Sequence, residues 1–218
     1  MKGLLIKDFK LLKNQKQFFL IIGLITFMFL VTNDSPYFTI TYATMMFSMF
    51  TMSTISYDEY DNGAAYLFSL PISRKGYVAE KYLFGVLTSF LAWLIVTALD
   101  FVFVMVRKLE IEPQELGVVS VVALVVAGMI LAISIPLQLK FGAEKSRMAF
   151  FAVFALAFVV ALVFVKIAEG TSVNFTAILE KLDQASFGSM TAILLLVWAL
   201  MLGISALISL RVMERKEF

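Results

Sequence analysis

The residues able to do chemistry in this chain are few, and the types that are missing narrow the possibilities first. His and Cys do not occur, which removes an imidazole base, a thiolate nucleophile, a disulfide and a zinc site of the usual ligands. Carboxylates gather at Asp58, Glu59 and Asp61, but no paired acid stands at a spacing that sets up general acid–base work. The run Gly142-Ala143-Glu144-Lys145-Ser146 ends like a phosphate-binding loop. It lacks the upstream glycine and the preceding strand that such a loop needs, and no complete G-x-x-x-x-G-K-[ST] occurs elsewhere. What remains is a series of hydroxyls, Thr41, Thr44, Ser48 and Thr51, recurring at helical spacing among Met45, Met49 and Met52. Such side chains either bond helices together across an interface or form a flexible wall for apolar and amphipathic molecules. Asp100 is the one acid inside an apolar stretch. It reads either as an interfacial group paired with Arg107 or as a contact for a bound molecule or a second copy.

The elements that must position these residues follow from composition. Of 218 residues, 61% are hydrophobic and 16% charged, with a mean hydropathy of +0.93, whereas soluble domains run near 45–50% apolar and about 25% charged. The expectation is an all-α membrane protein, a single transmembrane domain over 1–218 with six transmembrane helices at about 17–33, 36–56, 82–106, 117–138, 148–166 and 188–210. Each crossing takes about 20 apolar residues, so no catalytic domain fits beside them. Of the 18 Lys and Arg, Arg107, Lys108, Lys166 and Lys181 fall on one side and all the others on the opposite one; the positive-inside rule then places both termini in the cytoplasm. A net charge of +2 does not suggest a nucleic-acid partner. No small-x-small site follows the first apolar run, so it reads as an uncleaved helix.

Residues 1–16 carry Leu4, Leu5, Phe9, Leu11 and Leu12 on one side of a helical wheel and Lys2, Lys7, Lys10, Lys13 and Asn14 on the other, with Ile6, Asp8 and Lys16 as exceptions. The pattern predicts an amphipathic surface helix, unless the lysines act as topology signals alone. The outer stretch Glu169 to Gly188 carries Val173, Phe175, Ile178, Leu179 and Leu182 as a possible apolar stripe, and Trp93 and Trp198, both mid-span, read as packing residues.

The inner loop 57–81 is organised as helix, break, helix. Asp58, Glu59 and Asp61 supply an acidic helix start, Ala64 to Leu70 a short apolar helix, Pro71 its stop, and Ser73 the cap of the next helix. Tyr66, Leu67, Phe68 and Leu70 expose more apolar surface than water favours. They dock on the protein's own helix ends and lipid headgroups, or on a separate subunit.

Taken with Leu4-Leu5-Ile6-Lys7-Asp8-Phe9, Leu70-Pro71-Ile72-Ser73-Arg74 and Val78-Ala79-Glu80-Lys81-Tyr82, the six-span pattern resembles the permease subunit of an ABC-2 type transporter. Within that family the small permeases of bacterial peptide and toxin exporters, such as those exporting phenol-soluble modulins, look closest. The resemblance implies a non-enzymatic subunit of the bacterial plasma membrane that exports amphipathic peptides or toxins. It implies a separate ABC ATP-binding subunit that carries ATP and Mg, with no cofactor in this chain, and a homodimer or heterodimer of permeases in membrane lipid. The short cytoplasmic helix would be the coupling helix, with Asp58, Glu59, Asp61, Asn62, Gly63, Tyr66, Leu67, Leu70, Pro71 and Arg74 at the contact and Phe141 and Glu144 of the second inner loop adding to it. The second and fifth spans would line the pathway, with Thr41, Thr44, Met45, Ser48, Met49, Thr51 and Met52 of the second span as candidates, and Asp100, the acid within the third, as a further one. The alternative is a scaffold or immunity protein that holds a toxic peptide without an ATPase.

Overall fold

A computed structural model describes residues 2–32, 37–170 and 186–216 of the chain; the expected apolar stripe at 173–182 and the turn at 33–36 lie outside them. Among the described residues the chain is helical, with no strand. Helix α1 (Lys2–Asn14) turns at Gln15 into α2 (Lys16–Thr32), the two axes bent by 66°. Helix α3 (Tyr37–Glu59) passes through one 3-10 turn, Tyr60–Asn62, into the short α4 (Gly63–Ser69). After Pro71 the chain restarts as α5 (Arg74–Arg107), where the Ser73 side chain accepts from the Gly76 backbone N–H at 3.1 Å, as its place before an apolar run predicts. Helices α6 (Pro113–Gly170) and α7 (Phe187–Arg215) complete the described residues.

Three helical stretches, Arg74–Arg107, Pro113–Val163 and Phe187–Arg215, are long and apolar enough to cross a membrane, and the bent pair α1 and α2 would add a fourth. This is a multi-pass membrane architecture. Helix α3 falls short of that measure because hydroxyls replace aliphatic side chains along it. Their polarity is largely answered within the helix: Thr41 donates to Tyr37 O at 2.9 Å, Thr44 to Ile40 O at 2.7 Å and Ser56 to Met52 O at 2.9 Å. With 58 residues α6 would be about 87 Å long if straight, far beyond the ~30 Å of hydrocarbon. It breaks at Gly142, whose φ of 74° and ψ of 176° lie where a side chain would clash. The inner loop expected at 138–147 is therefore a one-residue hinge between the halves 113–141 and 143–170. The helix that Ser73 caps continues unbroken from Arg74 into the apolar run, as expected, so one helix holds both the end of the 57–81 loop and the stretch 82–106.

Helix α3 lies at the centre, packed on α5 and α6, and α7 packs on α6. An inner core joins Leu4, Ile55, Tyr77, Val78, Leu131, Ile135, Leu139 and Met213; an outer one joins Ile40, Ala43, Val96, Leu116 and Ala123. Polar clamps hold the bundle. Gln138 donates to Met52 O at 2.7 Å and to Ser56 Oγ at 2.6 Å, and Tyr82 meets Ser205 Oγ at 2.5 Å and Ser209 Oγ at 2.8 Å. Trp93 donates to Ser120 O at 2.7 Å, a packing role for one of the two tryptophans. The other, Trp198, lies over Gly128, where an added β-carbon would fall inside the indole. Gly128→Ala is therefore expected to lower the unfolding temperature in detergent, by the equivalent of about 1–3 kcal/mol. Gly203→Ala on α7, where an added β-carbon meets nothing within 4 Å, should be neutral or slightly stabilising.

Candidate functional site

Three segments far apart in sequence meet where α1, the last turn of α3 and the start of α5 converge. Lys81 Nζ sits 2.5 Å from Asp8 Oδ2, 2.8 Å from Asp58 Oδ2 and 3.7 Å from Glu80 Oε2, and donates to Thr54 Oγ1 at 3.2 Å. Tyr77 OH donates to Asp58 Oδ2 at 3.0 Å, and Lys7 pairs with Asp58 and, at 3.3 Å, with Asp8. Asp8, Glu80 and Lys81 are 0% exposed. Two cations thus face three carboxylates, with Lys81, Asp8 and Glu80 out of reach of water and Lys7 closing the cluster from its half-exposed rim. Each buried ion carries a desolvation penalty of several kcal/mol that its partners must offset, so the three segments are bound to move together or come apart at large cost.

This junction explains the irregularity of α1. Asp8 breaks the lysine and leucine pattern because it points inward, and the helix buries Leu4 and Asp8 while Ile6 and Phe9 stay exposed. Sequence reasoning assigned no role to Lys7, Asp8, Tyr77, Glu80 or Lys81 as a group. The available signal was a lone carboxylate inside a basic amphipathic helix.

The junction supports an elbow. Asp61 adopts left-handed φ of 52° in the 3-10 turn, and α4 follows from Gly63. On α4, Leu67 and Phe68 pack against the inner core together with Ile72, which fixes one side of the helix. The other side is free: Tyr66 is 71% exposed, Tyr60 77%, and Leu70 is also exposed. The acidic helix start expected from Asp58 and Glu59 is not what the structure has. Both belong to the last turn of α3, and Glu59 makes no capping bond, because Asp58 is engaged by Lys81, Lys7 and Tyr77 and Glu59 by Lys216 at 2.7 Å. Arg74 bonds Met213 O at 3.1 Å and Glu214 O at 2.7 Å, closing the end of α7. Pro71 lies in the bend before α5. The Gly142 hinge comes up beside Glu59, with Phe141 and Glu144 exposed next to it. Of the residues implied as coupling contacts, Tyr66, Leu70, Phe141 and Glu144 are therefore presented outward, and Asp58 faces the interior.

The residues of the α3 series separate by face. Thr44, Ser48 and Thr51 are buried in the bundle and Thr41 half-buried. Met45, Met49 and Met52 line a cavity of about 490 Å³ with Phe18, Phe150, Phe151 and Arg147. Asp100 is 0% exposed, and neither carboxylate oxygen has a hydrogen-bond partner among the described residues. The interfacial pairing with Arg107 is not formed. Arg107 donates to Val31 O at 2.7 Å and lies over the Phe103 ring, because Val31 is among the last carbonyls of α2, which no intrahelical N–H reaches.

A family model described as an ABC-2 family transporter protein matches residues 3–214. No curated protein and no solved structure matches the chain.

Proposed function

Because the chain belongs to the ABC-2 transporter family, we propose that it is the permease subunit of an ATP-driven exporter of amphipathic peptides or toxins, docked through α4 to a separate ATP-binding subunit. The observation that carries this is the build of α4. It is anchored on the inner core by Leu67 and Phe68, presents Tyr66 outward, and is joined to α3 by a single 3-10 turn and to α5 by the short bend 70–73. A push on such an element passes into two long helices at once.

In this reading α2, α3, α5, the two halves of α6 and α7 are six crossings of a bacterial plasma membrane, with both termini cytoplasmic. Two permeases and two ATP-binding subunits complete the transporter, and ATP and Mg belong to the latter. Closure of the nucleotide-bound partners displaces α4, and the Lys81 junction carries α1, α3 and α5 with it. The Gly142 hinge then lets 143–170 part from the methionine face of α3, whose unbranched, polarisable side chains suit varied apolar cargo.

The test is transport by vesicles holding the permease and its ATP-binding partner. Fluorescent amphipathic peptide should accumulate inside vesicles whose ATP-binding subunits face outward, and ATP without the partner should move none. Peptide bound equally by the permease alone, with no accumulation when partner and ATP are added, would support the scaffold alternative and remove the proposal.

A further inference from the structure

At the end of the bundle where α6 meets α7, a cavity of about 550 Å³ is walled by Lys140 from α6 and by Arg211, Arg215 and Lys216 at the end of α7, over a floor of Leu139, Ile208 and Val212. We propose that this cavity binds the phosphate headgroup of an anionic phospholipid.

Four cations from two elements converge on one concavity, and little opposes them. Lys216 is paired with Glu59 at 2.7 Å, and Glu214 turns to Lys75 at 3.8 Å. Neither Arg211 nor Arg215 has an ion-pair partner among the described residues. Ile208, Arg211, Val212 and Arg215 follow helical spacing, so one face of α7 carries both the guanidinium groups and the apolar floor. Guanidinium forks match phosphate oxygens two at a time.

A lipid rather than a protein or free phosphate is indicated by what adjoins the basic rim. Ile204, Leu207 and Ile208 are 60%, 61% and 47% exposed on α7, a helix apolar enough to cross a membrane. An acyl chain can run down that surface while its headgroup stays among the cations, at the depth where a span ends. Basic pockets between helices at such ends suit anionic headgroups, each cation adding about 1 kcal/mol. The site needs a leaflet that contains such lipid, and it stands whether or not the exporter reading does.

The test is native mass spectrometry of the full chain released from nanodiscs of equal phosphatidylglycerol and phosphatidylcholine. The wild type should retain phosphatidylglycerol selectively. Arg211→Gln/Arg215→Gln should lower that retention roughly 30-fold, two cations at about 1 kcal/mol each. Arg211→Lys/Arg215→Lys, which keeps charge but loses the fork, should lie between and guards against misfolding of the first variant. Lys10→Gln/Lys13→Gln removes two charges from α1 and should change retention less than about 3-fold. Equal loss in the α1 variant would reduce the effect to diffuse charge and overturn the site. Displacement of the lipid by millimolar inorganic phosphate would assign the pocket to free phosphate, and retention by the double glutamine variant would leave the cations without the role; either result overturns the proposal.

Discussion

Lys81→Met is expected to destabilise the folded chain by about 3–5 kcal/mol, the range for leaving a buried charge without its partner. The methionine fills the space but leaves Asp8, Asp58 and Glu80 with Lys7 as the remaining cation of the junction, and Lys7 makes its pairs with Asp58 and Asp8 from the rim. Asp8→Asn should be milder, since it leaves two cations facing two carboxylates and keeps an oxygen toward Lys81. If the junction is one coupled unit, the double variant Asp8→Asn/Lys81→Met will lose less than the sum of the single losses. Unfolding temperatures in detergent, with the double-mutant cycle, check this. A Lys81→Met protein that melts with the wild type would mean that the junction does not bind α1, α3 and α5 together.

The second large effect is expected at Tyr66. Its ring projects from α4 with the backbone held from behind by Leu67 and Phe68, so Tyr66→Glu changes the outward surface without entering the core. Aromatic anchors at an interface centre contribute about 2 kcal/mol or more. Docking of the ATP-binding subunit should accordingly weaken at least about 30-fold, and cargo-stimulated ATP hydrolysis should fall to the partner's basal rate while membrane insertion stays normal. Adding Leu67→Asp should abolish coupling too, but with a loss of stability, since that side chain packs on the inner core. Unchanged coupling in Tyr66→Glu would detach α4 from the partner.

What was legible in the sequence was what local physics decides. Apolar stretches bounded by charge became helices; Ser73 became a cap; Pro71 ended a short helix after Ser69. Periodicity also separated the hydroxyl and methionine faces of α3, but it could not say which face turns inward. The structure buries the hydroxyls, several of which bond their own helix, and leaves the methionines on a cavity. A break between the fourth and fifth apolar stretches was legible from Lys140, Lys145 and Arg147, but its narrowing to Gly142 was hidden, because a single glycine in a helix-forming context carries no strong stop signal. The Lys81 junction was hidden for a deeper reason. Residues 8, 58 and 81 meet through tertiary packing, and each taken alone reads as an ordinary charge near a helix end. The expected partnership of Asp100 with Arg107 rested on helical spacing, and it lost to the unpaired carbonyl at the end of α2.

The most direct measurement is a pull-down of the tagged chain from its native membranes, with co-purifying proteins identified by mass. The account predicts a stoichiometric ATP-binding protein that is lost from the Tyr66→Glu variant. A chain that comes down intact and without any ATP-binding protein would contradict it.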